Sequence, residues 1–334
     1  MKQDYSGWRL LPFVSIKSEM IRTIEQFDSA IKNGETGISV AGKNATLNAN
    51  DSLNAVEEKG QELVFHKGDV AVAGTCFDID GTDFALSLLK RFAGQKVSTG
   101  FIAAGSTDYE TVGQKLVSFS AGVSSEKIKS AKMKSEDYKK IQATAGELYE
   151  SPVMIKCSPN CSIERVEFFV EKMMEEQLLD VVIVDGFEYI KELAVIDEDD
   201  AENYHVYLEE VMESFSELAN KNNIAVILIT EASSEWTGER PGLKCFRKKM
   251  AIPNGADMVL LLYNDKVSYR LIKNDEEEAD ENCDGEKWVA QRSSEGQWDS
   301  AVEDASLFIA KNKRGGLGVI PVKRNNVTGE YIFQ

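Results

Sequence analysis

The spacing of apolar residues along the chain changes repeatedly between continuous runs and helical periodicity. The clearest runs, residues 180–185 and 224–230, are rich in β-branched side chains, which is typical of strands covered by helices on both faces. Shorter strands are predicted at residues 63–65, 69–74, 98–104 and 258–263. Apolar positions at three- and four-residue spacing predict helices at 84–92, 109–119, 136–149, 163–177 and 203–221. Strands that alternate with helices predict an α/β fold with a mostly parallel, helix-flanked sheet.

The segments outside this alternation divide the chain. Residues 15–31 have the spacing of an amphipathic helix, and residues 33–60 are rich in Gly, Asn and Asp, which favours turns. Near the other end, residues 307–310 and 318–322 predict a C-terminal β-hairpin. We therefore expect a linker helix and polar connector over 1–60 and one core domain over 61–334.

An acidic block at residues 274–282 interrupts the core domain. It lies in a stretch of weak periodicity, which predicts an acidic mobile insertion at about 265–304. Solvated surface charge and a specific docking loop are both compatible with this composition.

Composition and charge narrow the function classes. Hydrophobic residues make up 43% and charged residues 28% of the 334 residues, which is ordinary globular usage. The formal net charge of −18 disfavours nonspecific binding to nucleic acid. Two basic segments are candidates for local phosphate contacts, with solvated loop charge as the alternative: Lys244, Arg247, Lys248, Lys249, and Lys311, Lys313, Arg314.

Cysteine usage and the absence of long apolar runs favour a cytoplasmic protein. No apolar run approaches the roughly 20 residues that span a bilayer, and five cysteines do not make a disulfide framework. Cys157 and Cys161 have the spacing of two zinc ligands, but no second cysteine pair follows them. His66 and His205 are far away in sequence. A turn with two ordinary thiols is the expected interpretation.

Five motifs, in order, carry a resemblance to a known family. They are Thr82-Asp83-Phe84-Ala85-Leu86 after a strand, Val182-Ile183-Val184-Asp185, residues 227–233 (Ile-Leu-Ile-Thr-Glu-Ala-Ser), residues 255–260 (Gly-Ala-Asp-Met-Val-Leu) and residues 310–315 (Ala-Lys-Asn-Lys-Arg-Gly). Together they resemble the C-terminal motor domain of DnaB-type replicative helicases, which has a RecA-like core. The resemblance covers roughly residues 15–334 and lacks the family's collar domain. It makes residues 15–31 a candidate linker helix, packed either on a neighbouring subunit or on its own domain.

The resemblance also implies which residues would meet ATP and magnesium. The cofactor-binding positions are Gly74, Gly81, Thr82, Asp185 and Glu231. Thr82 and Asp185, the Walker B-like carboxylate, would hold magnesium if it binds. Because parallel strands present their carboxyl ends at one edge of a sheet, Asp185 and Glu231 are expected at the ligand-facing edge.

The nucleotide site departs from the family pattern at three positions. Where the family's phosphate loop ends in Gly-Lys-Thr, this chain has Asp80-Gly81-Thr82, so a glycine takes the place of the phosphate-binding lysine. Ser106 falls near the position of the catalytic glutamate, and Glu231 replaces a glutamine. Lys311 and Lys313, by contrast, match the basic pair that reaches a neighbour's nucleotide.

These departures predict a pseudo-motor with no bound cofactor, because phosphoryl transfer depends on positioning and charge neutralisation. Such a chain would act in assembly, as a homo-oligomer or with a helicase or another replication protein, and single-stranded DNA is a possible ligand. The alternative within the family is an active ATP-dependent DNA helicase that uses a different lysine.

A second alternative comes from another enzyme class. Residues 76–82 (Cys-Phe-Asp-Ile-Asp-Gly-Thr) also resemble the first motif of haloacid-dehalogenase-type phosphatases. In a magnesium-dependent reaction of that kind, Asp78 would be the nucleophile and Asp80 the acid/base, with Asp185 or Asp257 as a metal ligand. That motif normally opens its domain, whereas about seventy residues precede it here, and no downstream lysine or paired-aspartate motif is evident.

Overall fold

The computed structural model describes residues 14–15, 37–41, 63–75, 79–130, 133–194, 201–232, 241–263, 269–273, 288–292 and 302–333. In chain order the strands are β1 Val14–Ser15, β2 Gly37–Ala41, β3 Leu63–His66, β4 Val70–Thr75, β5 Thr99–Ala103, β6 Val153–Cys157, β7 Val181–Asp185, β8 Ala225–Glu231, β9 Met258–Tyr263, β10 Tyr269–Lys273, β11 Trp288–Arg292, β12 Val302–Asn312, β13 Gly318–Asn325 and β14 Tyr331–Phe333. The α-helices are α1 Gly81–Gly94, α2 Tyr109–Ala121, α3 Ser125–Lys129, α4 Ser135–Tyr149, α5 Ile163–Glu176, α6 Lys191–Ala194, α7 Ala201–Asn222 and α8 Ala251–Gly255. Within the described residues, 3₁₀ helices span Phe187–Tyr189 and Leu243–Lys249.

A ten-stranded sheet organises these elements in the order β1-β6-β5-β7-β8-β4-β9-β12-β13-β14. The six strands from β6 to β9 in this order are parallel, and β1 and β12 to β14 add antiparallel pairs at the two sides. Crossover helices connect the parallel strands, as the alternating sequence pattern predicts. The predicted C-terminal hairpin is confirmed as β12 and β13.

Helices cover both faces of the sheet and form two hydrophobic clusters. Helices α5, α7 and α8 pack on one face, while α1 and α2 pack on the other with residues of β13 and β14. All five residues of β7 are buried, as are the first six of the seven in β8. Two-sided burial explains why these strands are uninterrupted apolar runs.

Helix α1 packs against the last strand, β14, through Phe84 and Ser87. Phe84 is fully buried against the rings of Tyr331 and Phe333, and burial of such a side chain stabilises by about 2 to 3 kcal/mol. The Ser87 hydroxyl accepts a hydrogen bond from the backbone N–H of Tyr331 at 2.8 Å. These contacts hold the beginning of α1, which carries the candidate site residue Thr82, against the sheet.

The segments outside the parallel core are described only in part. The predicted linker helix at residues 15–31, the acidic block at 274–282 and most of the connector lie outside the described residues. Within the expected polar connector, β2 pairs with β3, so residues 37–41 form a strand rather than a turn. Within the expected insertion, β10 pairs with β11, and β12 already begins at Val302. The domain boundaries themselves remain a prediction.

Among the helices that the structure describes, none combines the length and the apolar character needed to cross a membrane.

Candidate functional site

Polar residues from four elements meet at the carboxyl edge of the parallel sheet. Asp185 is the last residue of β7, and Glu231 is the last residue of β8. Thr75, at the end of β4, is in register with Glu231. Thr82 lies in the first turn of α1, which follows β4. The sheet topology therefore brings together the residues that the sequence placed at a ligand-facing edge.

Asp80 defines the beginning of α1. Its backbone is extended, and its carboxylate accepts a hydrogen bond from the backbone N–H of Thr82 at 2.9 Å. This is an N-cap interaction, which satisfies one of the helix N–H groups that have no partner within the helix. In a phosphate loop those N–H groups bind the anion. Here a carboxylate of the chain occupies one of them.

Thr82 and Asp185 are directly bonded. The Thr82 hydroxyl donates to the Asp185 carboxylate at 2.8 Å and lies 3.5 Å from the Thr107 hydroxyl. Burial raises the pKa of Asp185 to about 7, although the Thr82 hydrogen bond acts in the opposite direction. These two groups are the ones that the family resemblance assigned to magnesium.

Lys115, on α2, supplies a cation to the beginning of α1. Its ammonium nitrogen lies 2.7 Å from Asp80 Oδ2 and 2.7 Å from Asp83 Oδ1. Burial alone would lower the pKa of Lys115, but the two carboxylates outweigh it and raise that pKa. Burial raises the pKa of Asp83, and Lys115 opposes this shift. One cation is therefore shared between two carboxylates.

Gly81 and Gly74 lie in restricted surroundings. A Cβ atom at Gly81 would lie 3.1 Å from Ile229 Cγ2, so a larger side chain there requires Ile229 to move slightly. Gly74 is inside β4, where a Cβ atom would lie 2.9 Å from the ring of Phe246 and 3.0 Å from Leu261. Packing in the core thus explains the glycine at position 74 without a ligand.

Ser106 and Glu231, two further positions that the family resemblance singled out, also lie at this edge. Ser106 and Glu231 are exposed, Ser106 on the loop between β5 and α2. Glu188, three residues after Asp185, was not singled out from the sequence, and burial raises the pKa of its carboxyl group. Asp78, the proposed phosphatase nucleophile, lies outside the described residues.

Lys311 and Lys313 lie at the opposite, amino edge of the sheet. Lys311 donates to the backbone carbonyl of Pro253 at 2.8 Å, and Lys313 lies 2.9 Å from the carboxylate of Asp257. Asp257 immediately precedes β9, so it is at the far end of the strands from Asp80. The structure therefore corrects the expectation that Asp257 could share a metal ion with Asp80.

The cysteine pair lies at the end of β6 and just after the turn that follows it. Cys157 and Cys161 are both buried. The described residues contain no cluster of three or more His, Cys, Asp or Glu side chains arranged to hold a metal ion. His205 lies on α7 beside Glu209.

Comparison with known proteins decides the family. Residues 61–331 match the family described as "DnaB-like helicase C terminal domain". The chain belongs to this family. The RecA-like fold and the family resemblance inferred from the motif order are thereby confirmed.

Individual DnaB relatives are distant. "Replicative DNA helicase DnaB" of Treponema pallidum (strain Nichols) is 24% identical over 203 residues, which are 60% of this chain and 45% of that protein. The protein of the same name from Rickettsia bellii (strain RML369-C) is 22% identical over 338 residues, 96% of this chain and 62% of that protein. This DnaB-family chain thus spans about half the length of the curated relatives it matches.

Solved structures show the same fold. An ATPase domain of known structure superposes with a TM-score of 0.63 at 16% identity, over 80% of this chain and 86% of that one. A DnaB-like replicative helicase, whose structure was described together with its interactions with primase, superposes with a TM-score of 0.61 at 16% identity, over 80% of this chain and 58% of that one. At this identity the likeness concerns the fold alone.

Within the DnaB fold, sequence reasoning missed the lysine that pairs with two carboxylates at the beginning of α1. Lys115 lies in the middle of a predicted amphipathic helix, and nothing in the local sequence distinguishes it from a solvated lysine. Only the packing of α2 beside α1 brings it to Asp80 and Asp83. The roles of Gly74, Gly81, Thr82, Asp185 and Glu231 toward a nucleotide remain predictions.

Proposed function

We propose that this chain is a DnaB-related pseudo-motor, which keeps the fold of a replicative helicase motor but does not turn over ATP. The observation that carries the proposal is the pairing of Lys115 with Asp80 and Asp83 at the beginning of α1. The position of the family's lysine holds Gly81, and the cation beside the beginning of α1, Lys115, already pairs with two carboxylates of the chain.

The residues present do not fit magnesium-bound ATP. The β- and γ-phosphates carry several negative charges, and Asp80 places another negative charge on the helix N–H group of Thr82. Burial raises the pKa of the Asp185 carboxyl group to about 7, so near neutral pH a metal ion would have to displace a proton there. Thr82 and Asp185 would be the metal's protein ligands, but the charge around them opposes the nucleotide.

With a serine at position 106, the site also lacks a group that ATP hydrolysis requires. A motor of this kind needs a carboxylate to orient and deprotonate the attacking water, and a serine hydroxyl does not do this at neutral pH. The exposed Glu231 adds negative charge where a neutral glutamine is expected to sense the γ-phosphate. We therefore expect that the chain has lost both ATP binding and ATP turnover.

Calorimetry and a coupled ATPase assay test the proposal. We expect no magnesium-dependent ATP binding and no phosphate release, with or without single-stranded DNA. Tight, magnesium-dependent binding with turnover stimulated by single-stranded DNA would instead establish the second candidate, an active helicase. Retention of Thr82 and Asp185 in their bonded positions is the observation that favours that candidate.

A stepwise reconstruction makes the test sharper. The double variant D80G/G81K restores Gly-Lys-Thr and removes the carboxylate from the Thr82 N–H group. We expect it to gain ATP binding without turnover, because Ser106 still supplies no base. The triple variant that adds S106E is expected to gain slow turnover. If D80G/G81K folds but binds ATP no better than the natural chain, the missing lysine and the added carboxylate are not the cause of the loss.

We further propose that the chain acts by assembly, with copies of itself or with a replication helicase. Support comes from family membership and from the structural relative that was described with its interactions with primase. Sedimentation velocity without nucleotide should show an oligomer that is weakened by deletion of residues 1–32. This part of the proposal would be contradicted if the protein is a monomer at micromolar concentration and no partner is recovered with it from cells.

A further inference from the structure

Aspartates precede three of the parallel strands at the amino edge of the sheet. Asp69, Asp180 and Asp257 stand immediately before β4, β7 and β9. Asp257 Oδ2 accepts the backbone N–H of Val70 at 3.0 Å, and Asp180 Oδ2 accepts that of Ser98 at 3.0 Å. Each of these two carboxylates thus links the beginning of its own strand to the chain that leads into the neighbouring one.

Two of these aspartates hold two of the three cations of residues 311–316, which we call the basic turn. Arg314 binds Asp69 with two parallel hydrogen bonds, from Nε to Oδ2 at 2.6 Å and from Nη2 to Oδ1 at 2.7 Å. Lys313 Nζ donates to Asp257 Oδ1 at 2.9 Å. The bidentate geometry of the arginine pair is the strong form of charge-assisted hydrogen bond.

The third cation of the basic turn is also bonded within the chain. Lys311 Nζ donates to the carbonyl oxygens of Pro253 at 2.8 Å and Asn254 at 3.0 Å, near the end of α8. The last carbonyl groups of a helix have no N–H partner within the helix, so they are favourable acceptors for the Lys311 ammonium group. All three cations therefore fasten the basic turn to the elements that precede β4 and β9.

Burial of the acids makes these pairs stronger than ordinary surface pairs. The side chains of Asp69 and Asp257 are only 15% and 16% exposed, whereas those of Arg314 and Lys313 are 51% and 71% exposed. The cations thus face solvent on one side and a fixed carboxylate on the other. A net charge of −18 adds a general repulsion of polyanions from outside.

We propose that Asp69 and Asp257 form a latch that withholds Arg314 and Lys313 from phosphate groups outside the chain. Phosphates of a nucleotide or of a nucleic-acid backbone reach these cations only by displacing two carboxylates that are already in bonding position. The latch lies at the opposite end of β4 from Thr82, on the order of 20 Å away at about 3.3 Å per residue. It therefore does not depend on whether the carboxyl-edge site turns over ATP.

The test replaces both acids by their neutral isosteres in the full-length chain, as D69N/D257N. Binding is measured at low ionic strength with a fluorescent single-stranded oligodeoxynucleotide and, in a separate arm, with sodium tripolyphosphate. We expect weak binding by the natural chain and about tenfold tighter binding by the variant to at least one probe, because two charge-assisted donors are released. A gain for the oligonucleotide alone identifies nucleic acid as the source of the phosphates, and a gain for tripolyphosphate alone identifies a nucleotide-like anion.

A matched control is available at the same edge. Asp180 accepts a backbone N–H through Oδ2 and Lys67 Nζ through Oδ1 at 2.6 Å, which is the arrangement that Asp257 has with Lys313. The D180N variant changes the charge equally but frees a lysine outside the basic turn, so it should gain little compared with D257N. Adding R314Q to D69N/D257N should remove most of the gain. No gain in D69N/D257N, or an equal gain in D180N and D257N, would overturn the latch.

A second variant, which removes a cation of the basic turn and keeps both acids, tests the proposal if D69N/D257N does not fold. R314Q in the otherwise natural chain should lower the melting temperature, because the bidentate contact to Asp69 is lost, and should leave polyanion binding unchanged. If R314Q weakens oligonucleotide or tripolyphosphate binding by the natural chain, Arg314 is already available and the latch does not exist.

Discussion

The hydroxyl of Thr82 donates a hydrogen bond of 2.8 Å to the carboxylate of Asp185, joining the beginning of α1 to the end of β7. This bond favours the charged form of Asp185, yet burial has the larger effect and raises its pKa to about 7. Lys115 also favours the charged form, whereas Asp80 and Glu188 oppose it, so the buried carboxylate is unfavourable when ionised. The pair is therefore a source of pH-dependent stability.

The first prediction concerns Asp185→Asn. The folded state holds the proton on Asp185 more tightly than the unfolded state, so the stability contributed by this group declines as the pH rises from 3.8 to about 7. Asparagine stays neutral and still accepts from Thr82. The variant should therefore gain stability relative to the natural chain as the pH rises, by at most roughly 4 kcal/mol at pH 8.

Urea unfolding of both proteins at pH 5 and pH 8, in the presence of a chelator, measures this difference. Contributions of other groups cancel when the natural chain and the variant are compared at the same pH. A difference in unfolding free energy that is the same at pH 5 and pH 8 would show that Asp185 has an ordinary pKa.

The second prediction is that Lys115→Met destabilises the protein by about 2 to 3 kcal/mol. Asp83 has a side chain only 10% exposed, and loss of Lys115 leaves this carboxylate without its nearest cation. The double variant with D83N should recover much of the loss. Lys172→Met is the control, because Lys172 pairs with an exposed Glu175 and should cost about 0.5 kcal/mol or less.

Thermal or urea unfolding gives both free energies. If K115M and K172M have equal effects, the Lys115 contacts are ordinary surface pairs, and the charge distribution proposed for the beginning of α1 is wrong.

The third prediction concerns Cys157, at the end of β6. Burial raises the pKa of its thiol to about 12, so the reactive thiolate is scarce at pH 8. We expect no alkylation of Cys157 by iodoacetamide in the native protein and complete alkylation in urea, read by peptide mass spectrometry. Native alkylation at the rate of a free thiol such as glutathione would contradict the buried position.

The parallel core could be predicted from sequence because its signal is local. The β-branched runs predicted strands at 180–185 and 224–230, and the structure has them at Val181–Asp185 and Ala225–Glu231. Helix α1 is longer than predicted, because Asp80 caps it before the first apolar residue. Burial on both faces leaves little freedom in such segments.

The charge contacts could not be predicted, because they join residues distant in sequence. Arg314 and Asp69 are separated by 245 positions, and Lys115 and Asp83 by 32. The spacing of apolar and polar residues along the sequence does not indicate which cation will lie beside which carboxylate. The family resemblance implies that Lys311 and Lys313 contact a neighbour's nucleotide, while the structure gives each of them a partner within the chain.

The last prediction links the turn before β14 to the beginning of α1. Gly329 has φ +89°, and a Cβ atom there would collide with the carboxylate of Asp83. Gly329→Ala therefore combines a left-handed backbone penalty of about 1 kcal/mol with displacement of a carboxylate that Lys115 also binds. We expect a total loss of about 3 kcal/mol.

Gly122→Ala is the matched control, because Gly122 has φ +63° and no atom within 4 Å of the added Cβ. It should show the backbone penalty alone, about 1 kcal/mol. A cycle of G329A, D83A and the double variant should give a coupling of about 1 kcal/mol or more, since removal of the carboxylate relieves the collision. Equal losses for G329A and G122A, with no coupling to position 83, would mean that Asp83 moves aside freely and that the turn does not constrain the beginning of α1.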